Sequence, residues 1–368
     1  MRRGVERTIW LATIAIMIIG LTAIYSASSQ STRVTQGVFF DQLLCALIGL
    51  GVMLFLSRFD YRKFYDFSYF LYGASIVFLI LVLLVGRQIL GAQRWIELGG
   101  LNFQPSELAK FAIILSLSRY FSVNIPSRIN RGRDFKETIF YTIVIPFFLV
   151  VVPSLLIFKQ PDLGTAILVF AIFIAIIFIN GVKISYILSF LGTVAALAPF
   201  LWHLLKPYQR ARLSVFLNPN ADPLGAGYTI IQSKIAVGSG MLFGRGWLSG
   251  TQNQLNFLPE RHTDFIFSVI GEEWGLLGAL LLVFCFYVLV DCGLLIAQQT
   301  KDRFGFSVAA GIVSLFAIQV IINIGMVLGL FPVVGLTLPL VSYGRSSFLM
   351  FVVMIGILLN LNRKQAQL

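Results

Sequence analysis

Apolar runs of roughly twenty residues recur along the whole chain, separated by short polar stretches rich in Arg, Lys, Gly and Pro. Twenty residues of α-helix cover the ~30 Å hydrocarbon core of a bilayer. Ten runs are predicted to span it: 8–28, 39–57, 64–86, 106–121, 138–157, 164–180, 184–204, 264–297, 306–330 and 344–362. They lack the period-two alternation of barrel strands, and a helix satisfies its own backbone in lipid. The pattern predicts an all-α polytopic membrane protein of about ten transmembrane helices. It forms one domain over 1–368, with a long extracytoplasmic loop at 205–263. The fourth run is short and polar at its start, and the eighth is long enough to tilt or to project from the bilayer.

Composition agrees. Of 368 residues, 58% are hydrophobic and 12% charged, against about 25% charged in a soluble domain. The net charge of +12 would suggest nucleic acid in a soluble protein. Here Lys and Arg act as topology signals, and no nucleic-acid partner is expected. One set of short loops and termini carries sixteen Lys and Arg; the other carries five, Arg33, Arg87, Arg94, Lys159 and Arg345. Both termini are therefore expected in the cytoplasm, with the 205–263 loop outside. The first 29 residues imitate a signal peptide, but the run Ile9 to Tyr25 is long for one and reads as an uncleaved span. Cys45, Cys285 and Cys292 lie scattered in apolar runs and read as packing. No P-loop spacing is present, which argues against ATP-driven work by this chain.

The polar chemistry gathers on the outer side. In "QPSELAKF" Pro105 is placed to open a helix with Ser106 as cap, and Glu107 and Lys110 fall i,i+3 on one face. They form either a structural ion pair or the lining of a substrate cavity. In "KQPDLGTA" Asp162 is a cap for the sixth span or a substrate contact. Lys206, Arg210 and Arg212 cluster just after a span, where they meet lipid headgroups or a bound phosphate. The stretch 228–247 predicts a short amphipathic helix on the membrane surface, then turns at Gly238, Gly240, Gly244 and Gly246.

The densest cluster is "LPERHTDFIFSVIGEEWG". Glu260, Arg261 and His262 crowd Asp264 where the eighth span begins, and Thr263 or Asp264 is placed to cap that helix. Glu272 and Glu273 lie two to three turns deeper. Carboxylates at such depth need partners or mark a site. The cluster predicts a polar cavity descending from the outer surface. Finally, "GLTLPLVSYGRSS", with Ser342 and Ser346, predicts broken helix at membrane depth.

These four separated motifs resemble the SEDS family (shape, elongation, division and sporulation), and the RodA branch more than the FtsW branch. The resemblance spans nearly the whole chain. It implies a peptidoglycan glycosyltransferase of the bacterial inner membrane that polymerises lipid II into a growing glycan strand during cell-wall elongation. It also implies a class B penicillin-binding protein as partner within the elongation machinery. The family's essential outer-loop aspartate falls on Asp264 and its Glu–Lys pair on Glu107 and Lys110. One departure is Arg345, where the family usually has glycine before the paired serines.

Glycan polymerisation joins a sugar 4-hydroxyl to an anomeric carbon as undecaprenyl pyrophosphate leaves. Pyrophosphate leaves readily, so one base and several cations suffice. Asp264 is the expected base. Lys110, Lys206, Arg210, Arg212, Lys234, Arg245 and Arg261 are the expected phosphate or sugar partners, and Glu107, Asp162, His262, Ser342 and Ser346 complete the expected substrate contacts. No cofactor is demanded; a divalent cation on Asp264 or Glu107 is compatible with the sequence, though no spacing requires it. The alternative is a lipid II flippase, which needs polar groups reachable from both faces.

Overall fold

The computed structural model describes residues 2–29, 33–89, 92–98, 101–124, 138–223, 225 and 227–364. Helices cover all ten predicted runs. The first six are α1 Arg2–Ser28, α2 Arg33–Leu56, α3 Arg62–Val85, α4 Pro105–Asn124, α5 Ile145–Lys159 and α6 Leu163–Ile179. The seventh run is broken into α7 Ile184–Ala196 and α8 Ala198–Leu204, with Pro199 at the second start. Three helices follow in the long loop: α9 Pro207–Leu217, α10 Tyr228–Ser239 and α11 Thr251–Gln254. The bundle closes with α12 Ile266–Gln299, α13 Arg303–Val327 and α14 Arg345–Lys364.

Among the described residues, seven helices are long and apolar enough to cross a membrane by length and composition. The other three runs fall short for visible reasons. Helix α4 carries Glu107, Lys110 and Arg119, α6 has 17 residues, and the seventh run is broken. The loop predicted at 122–137 lies, from 125 on, outside the described residues.

Helix α13 is the hub, packed against α4, α6 and α12, while α14 pairs with α2 and α1 with α12. Both chain ends meet at one end of the bundle. Arg363 pairs with Glu6, and Lys364 Nζ lies 3.3 Å from Asp60. At the other end the 87–103 loop is not irregular. It holds a small antiparallel sheet of β1 Arg87–Ile89, β2 Ala92–Leu98 and β3 Leu101–Phe103, with Ile96 opposite Phe103.

Two long irregular segments break the helical pattern, and each is held by polar groups. Helix α12 is interrupted at Gly275, at φ +68°. An unbroken helix would join the Leu276 N–H to the Glu272 carbonyl and the Leu277 N–H to the Glu273 carbonyl. Here all four groups turn to the outer loop. Leu276 and Leu277 donate to the Met241 and Leu242 carbonyls at 2.8 and 3.2 Å. The Glu272 and Glu273 carbonyls accept from Arg245 and Gly246 at 2.9 and 3.1 Å. The segment after α10 therefore docks about 15 Å along α12 from Ile266. Its tip exposes Met241, Leu242, Phe243 and Trp247. The predicted short helix is present: α10 buries Ile230, Ser233 and Ala236 against the bundle and leads into a hairpin docked on α12.

The second irregular segment is 331–344, between α13 and α14, where Leu336, Leu338, Leu340 and Val341 are buried. It threads between α1, where a Cβ at Gly20 would meet Val341 Cα at 2.7 Å, and α6, where Gly164 abuts Val334.

Gly275→Ala tests the hairpin. The added Cβ would collide with the Gly244 backbone nitrogen at a φ that L residues avoid. The expected outcome is a loss of about 1–3 kcal/mol or more, read as a lower unfolding midpoint in detergent and new protease cleavage within 241–256.

Candidate active site

Asp264 sits on the turn before α12 and does not cap it. The helix begins at Ile266, and the preceding Phe265 offers no side-chain cap. Thr263 Oγ1 donates to Glu260 instead. Among the described residues the Asp264 carboxylate accepts no hydrogen bond and forms no ion pair. Its backbone is held: Asn323 Nδ2 donates to the Asp264 carbonyl at 2.9 Å. Its carboxylate lies against Gly335, where a Cβ would stand 3.4 Å from Oδ2. Burial pushes this carboxyl up to about 6, and the neighbouring Glu260 pushes the same way. Arg212 and Arg94 pull it back, and Asp162 adds a smaller upward push. The carboxylate thus keeps its lone pairs unengaged by the described residues, with its pKa raised to about 6.

Arg94 and Arg212 line one groove with Tyr208, Leu163, Ile167 and the Pro332–Val334 backbone. Arg212 donates to the Val333 carbonyl at 3.2 Å and is exposed. Arg94 donates to the Gln160 carbonyl at 3.3 Å and to Pro161, and stands 3.8 Å from Asp162. Asp162 caps α6, accepting from the Thr165 N–H at 3.2 Å and its hydroxyl at 2.9 Å. An acid, two arginines and an apolar wall thus share one end of the bundle.

The remaining expected cations are dispersed. Lys206 is exposed at the start of α9, its N–H taken by Gln209. Arg210 turns away from Arg212 to the His203 carbonyl at 2.8 Å. Lys234 lies over Gly329. Arg245 reaches Ser239 and Thr251, both at 3.3 Å. Arg261 is buried and fastens the outer loop to α1, donating to Ala27 at 2.8 Å, to Asn253 at 2.7 Å and to Asn256. The His262 ring meets Tyr343 in a tilted contact with ring centroids 5.8 Å apart, and burial lowers its imidazole pKa.

The two serines also bind the chain itself. Ser342 Oγ donates to the Thr263 carbonyl at 2.6 Å, and Ser346 Oγ to Asn102 at 2.9 Å. Arg345 stands 3.8 Å from Asp41 of α2, which gives the departing residue an internal partner.

The deep carboxylates do not line a descending cavity. Glu272 accepts from the Gln252 and Asn253 N–H groups at 2.9 and 3.3 Å, at the start of α11. Glu273 accepts from Asn253 at 3.1 Å and from Ser26. Glu107 and Lys110 are buried and paired at 2.8 Å. Lys110 also donates to Gln319 at 3.1 Å and faces the Phe351 ring at 5.5 Å. Ser106 is buried and its hydroxyl finds no partner among the described residues, so it does not cap α4.

Three contributors escape the sequence reasoning. Arg94 counts there only as a topology charge, and Gln319 and Asn323 lie within the apolar run 306–330 and are not singled out. Their i,i+4 spacing was the available signal, because two amides on one face of a span need partners. Among the described residues no three His, Cys, Asp or Glu side chains converge as a metal-holding group.

Fold and site together define a multi-pass membrane protein with an acid and two arginines at one end of the bundle. A family model described as cell cycle protein, FTSW_RODA_SPOVE, matches residues 6–367; the chain belongs to this family, the SEDS proteins. It is similar to peptidoglycan glycosyltransferase MrdB of Escherichia coli (strain K12), 40% identical over 366 residues, covering 99% of this chain and 95% of the relative. It is likewise similar to stage V sporulation protein E of Bacillus subtilis (strain 168), 39% identical over 96% of this chain and 95% of that one. Among solved structures, RodA of Thermus thermophilus superposes with a TM-score of 0.70 at 28% identity, over 97% of this chain and 96% of that one. A chain of a peptidoglycan synthase complex, described as coordinating polymerization and crosslinking, gives a TM-score of 0.82 at 32% identity over 98% of both chains.

Reversing the charge of Glu107 or Lys110 alone is expected to cost about 3–5 kcal/mol, because it strands the partner's buried charge. Glu107→Lys combined with Lys110→Glu should recover part of that loss in detergent unfolding. Absence of any recovery would show that the two do not act as a simple pair.

Proposed function

We propose that this chain is a peptidoglycan glycosyltransferase that polymerises lipid II, with Asp264 as its general base. The observation that carries the reading is the Asp264 carboxylate itself: free of hydrogen bonds among the described residues, pushed up to about 6, and under the influence of Arg212 and Arg94. The names of the relatives support the reaction class.

In this reading Asp264 takes the proton from the 4-hydroxyl of one lipid-linked sugar. The oxygen attacks the anomeric carbon of another, and the bond from that carbon to the pyrophosphate oxygen breaks. The leaving pyrophosphate takes the electron pair, and Arg212 and Arg94 offset its charge. Glu107 and Lys110 are architectural, as are Arg261, Ser342 and Ser346, since each is engaged by the chain itself.

In this reading the protein lies in the bacterial inner membrane, with both termini cytoplasmic and the site outside. Support comes from the Lys and Arg distribution and from the meeting of the two chain ends. A class B penicillin-binding protein is the proposed partner, in line with the complex named for polymerization and crosslinking. The flippase reading is disfavoured because Lys110, Glu272 and Glu273, the deep charges, are bound by the chain and offer no polar route between faces.

Polymerisation of lipid II by purified protein in detergent, with and without the partner, tests the proposal. Asp264→Asn is expected to lower turnover at least ~100-fold, the scale of general-base loss. Near wild-type polymer from a well-folded Asp264→Asn protein would end the assignment. Because the base must be ionised, the wild-type rate should rise with pH through about 6 and level off above it.

A further inference from the structure

Helix α13 carries two buried amides one turn apart, Gln319 and Asn323, on the same face. Both reach the irregular 331–344 segment. Gln319 Nε2 donates to the Thr337 carbonyl at 2.9 Å, while its Oε1 takes the Lys110 ammonium. Asn323 Nδ2 does more. It donates to the Leu336 carbonyl at 2.6 Å and to the Asp264 carbonyl at 2.9 Å. One amide nitrogen therefore ties the turn that bears the acid to the backbone next to Gly335, the residue against which the acid rests. Asn323 Oδ1 is buried and has no partner among the described residues, so the side chain is held here by its two donor bonds.

We propose that Asn323 is a positioning residue for Asp264: its forked amide sets how closely the Gly335 backbone covers the carboxylate and so where that carboxylate stands for proton transfer. The proposal rests on the reading of Asp264 as general base. Asn323 touches no reacting atom. It fixes the distance between two segments that are otherwise joined by the bond from Ser342 to Thr263 and by the bond from the Tyr343 N–H to the His262 carbonyl, both further along the segment.

The test is the pH profile of lipid II polymerisation for Asn323→Ala in the purified full chain. Losing the tie admits water around the carboxylate. The rate should fall on the order of tenfold to a hundredfold at saturating substrate with KM nearly unchanged, and the acid limb should move to lower pH. The charged groups that act on Asp264, namely Glu260, Arg212, Arg94 and Asp162, are unchanged in this variant and provide a constant background. Asn360→Ala is the control. Asn360 is equally buried and ties backbone at the opposite end of the bundle, accepting from Tyr61 and donating to Ser57. It should lower thermal stability and leave the acid limb alone.

If Asn323→Ala does not fold, Asn323→Ser keeps one donor and should show a smaller shift of the same sign. A folded Asn323 variant with the wild-type limb and rate overturns the positioning role and leaves the base assignment standing. A limb that survives in Asp264→Asn overturns both.

Discussion

Backbone that leaves a helix inside a bilayer must find hydrogen-bond partners, because lipid supplies none. That constraint organises this protein. Two segments break helix within the bundle, and nearly every buried polar side chain of interest answers one of them. The carbonyls and N–H groups released at Gly275 are taken by residues 241–246. Glu272 closes the start of α11, Glu273 holds Asn253 and Ser26, and Arg261 binds Asn253 and α1. The 331–344 segment is satisfied in the same manner by Gln319, Asn323, Ser342 and Arg212.

The site follows from what this lattice leaves unengaged. Asp264 lies against the 331–344 segment, its backbone tied and its carboxylate not. Most polar neighbours spend their hydrogen bonds on structure. The acid is held without being neutralised, half covered by protein on one side and within the influence of Arg212 and Arg94 on the other. Such an arrangement suits a base that must keep its lone pairs for a hydroxyl proton.

Much of this was legible in the sequence. Apolar period and length mark all ten runs, since bilayer thickness leaves little freedom, and Pro105 opens α4 where the pattern predicts. Asp162 caps α6 as its place before an apolar run implies. The cluster around Asp264 draws attention because ionisable groups are costly there. What sequence could not supply was direction. Glu272 and Glu273 read as a site because their partners, at 251–253 and Ser26, are remote or on another helix. Lys206, Arg210 and Arg212 read as one cluster, yet helical geometry points Arg210 and Arg212 to different neighbours. Arg94 was hidden for the opposite reason: its strand looked like loop, and its partners lie more than sixty residues away.

The hairpin at 228–256 also has a bearing on how the chain is made. It precedes, in order of synthesis, the helix whose broken backbone secures it. Its bonds to the backbone at Glu272, Glu273, Leu276 and Leu277 can close only after α12 has been made. The order of synthesis therefore makes this hairpin one of the later pieces to settle, because its dock is translated after it.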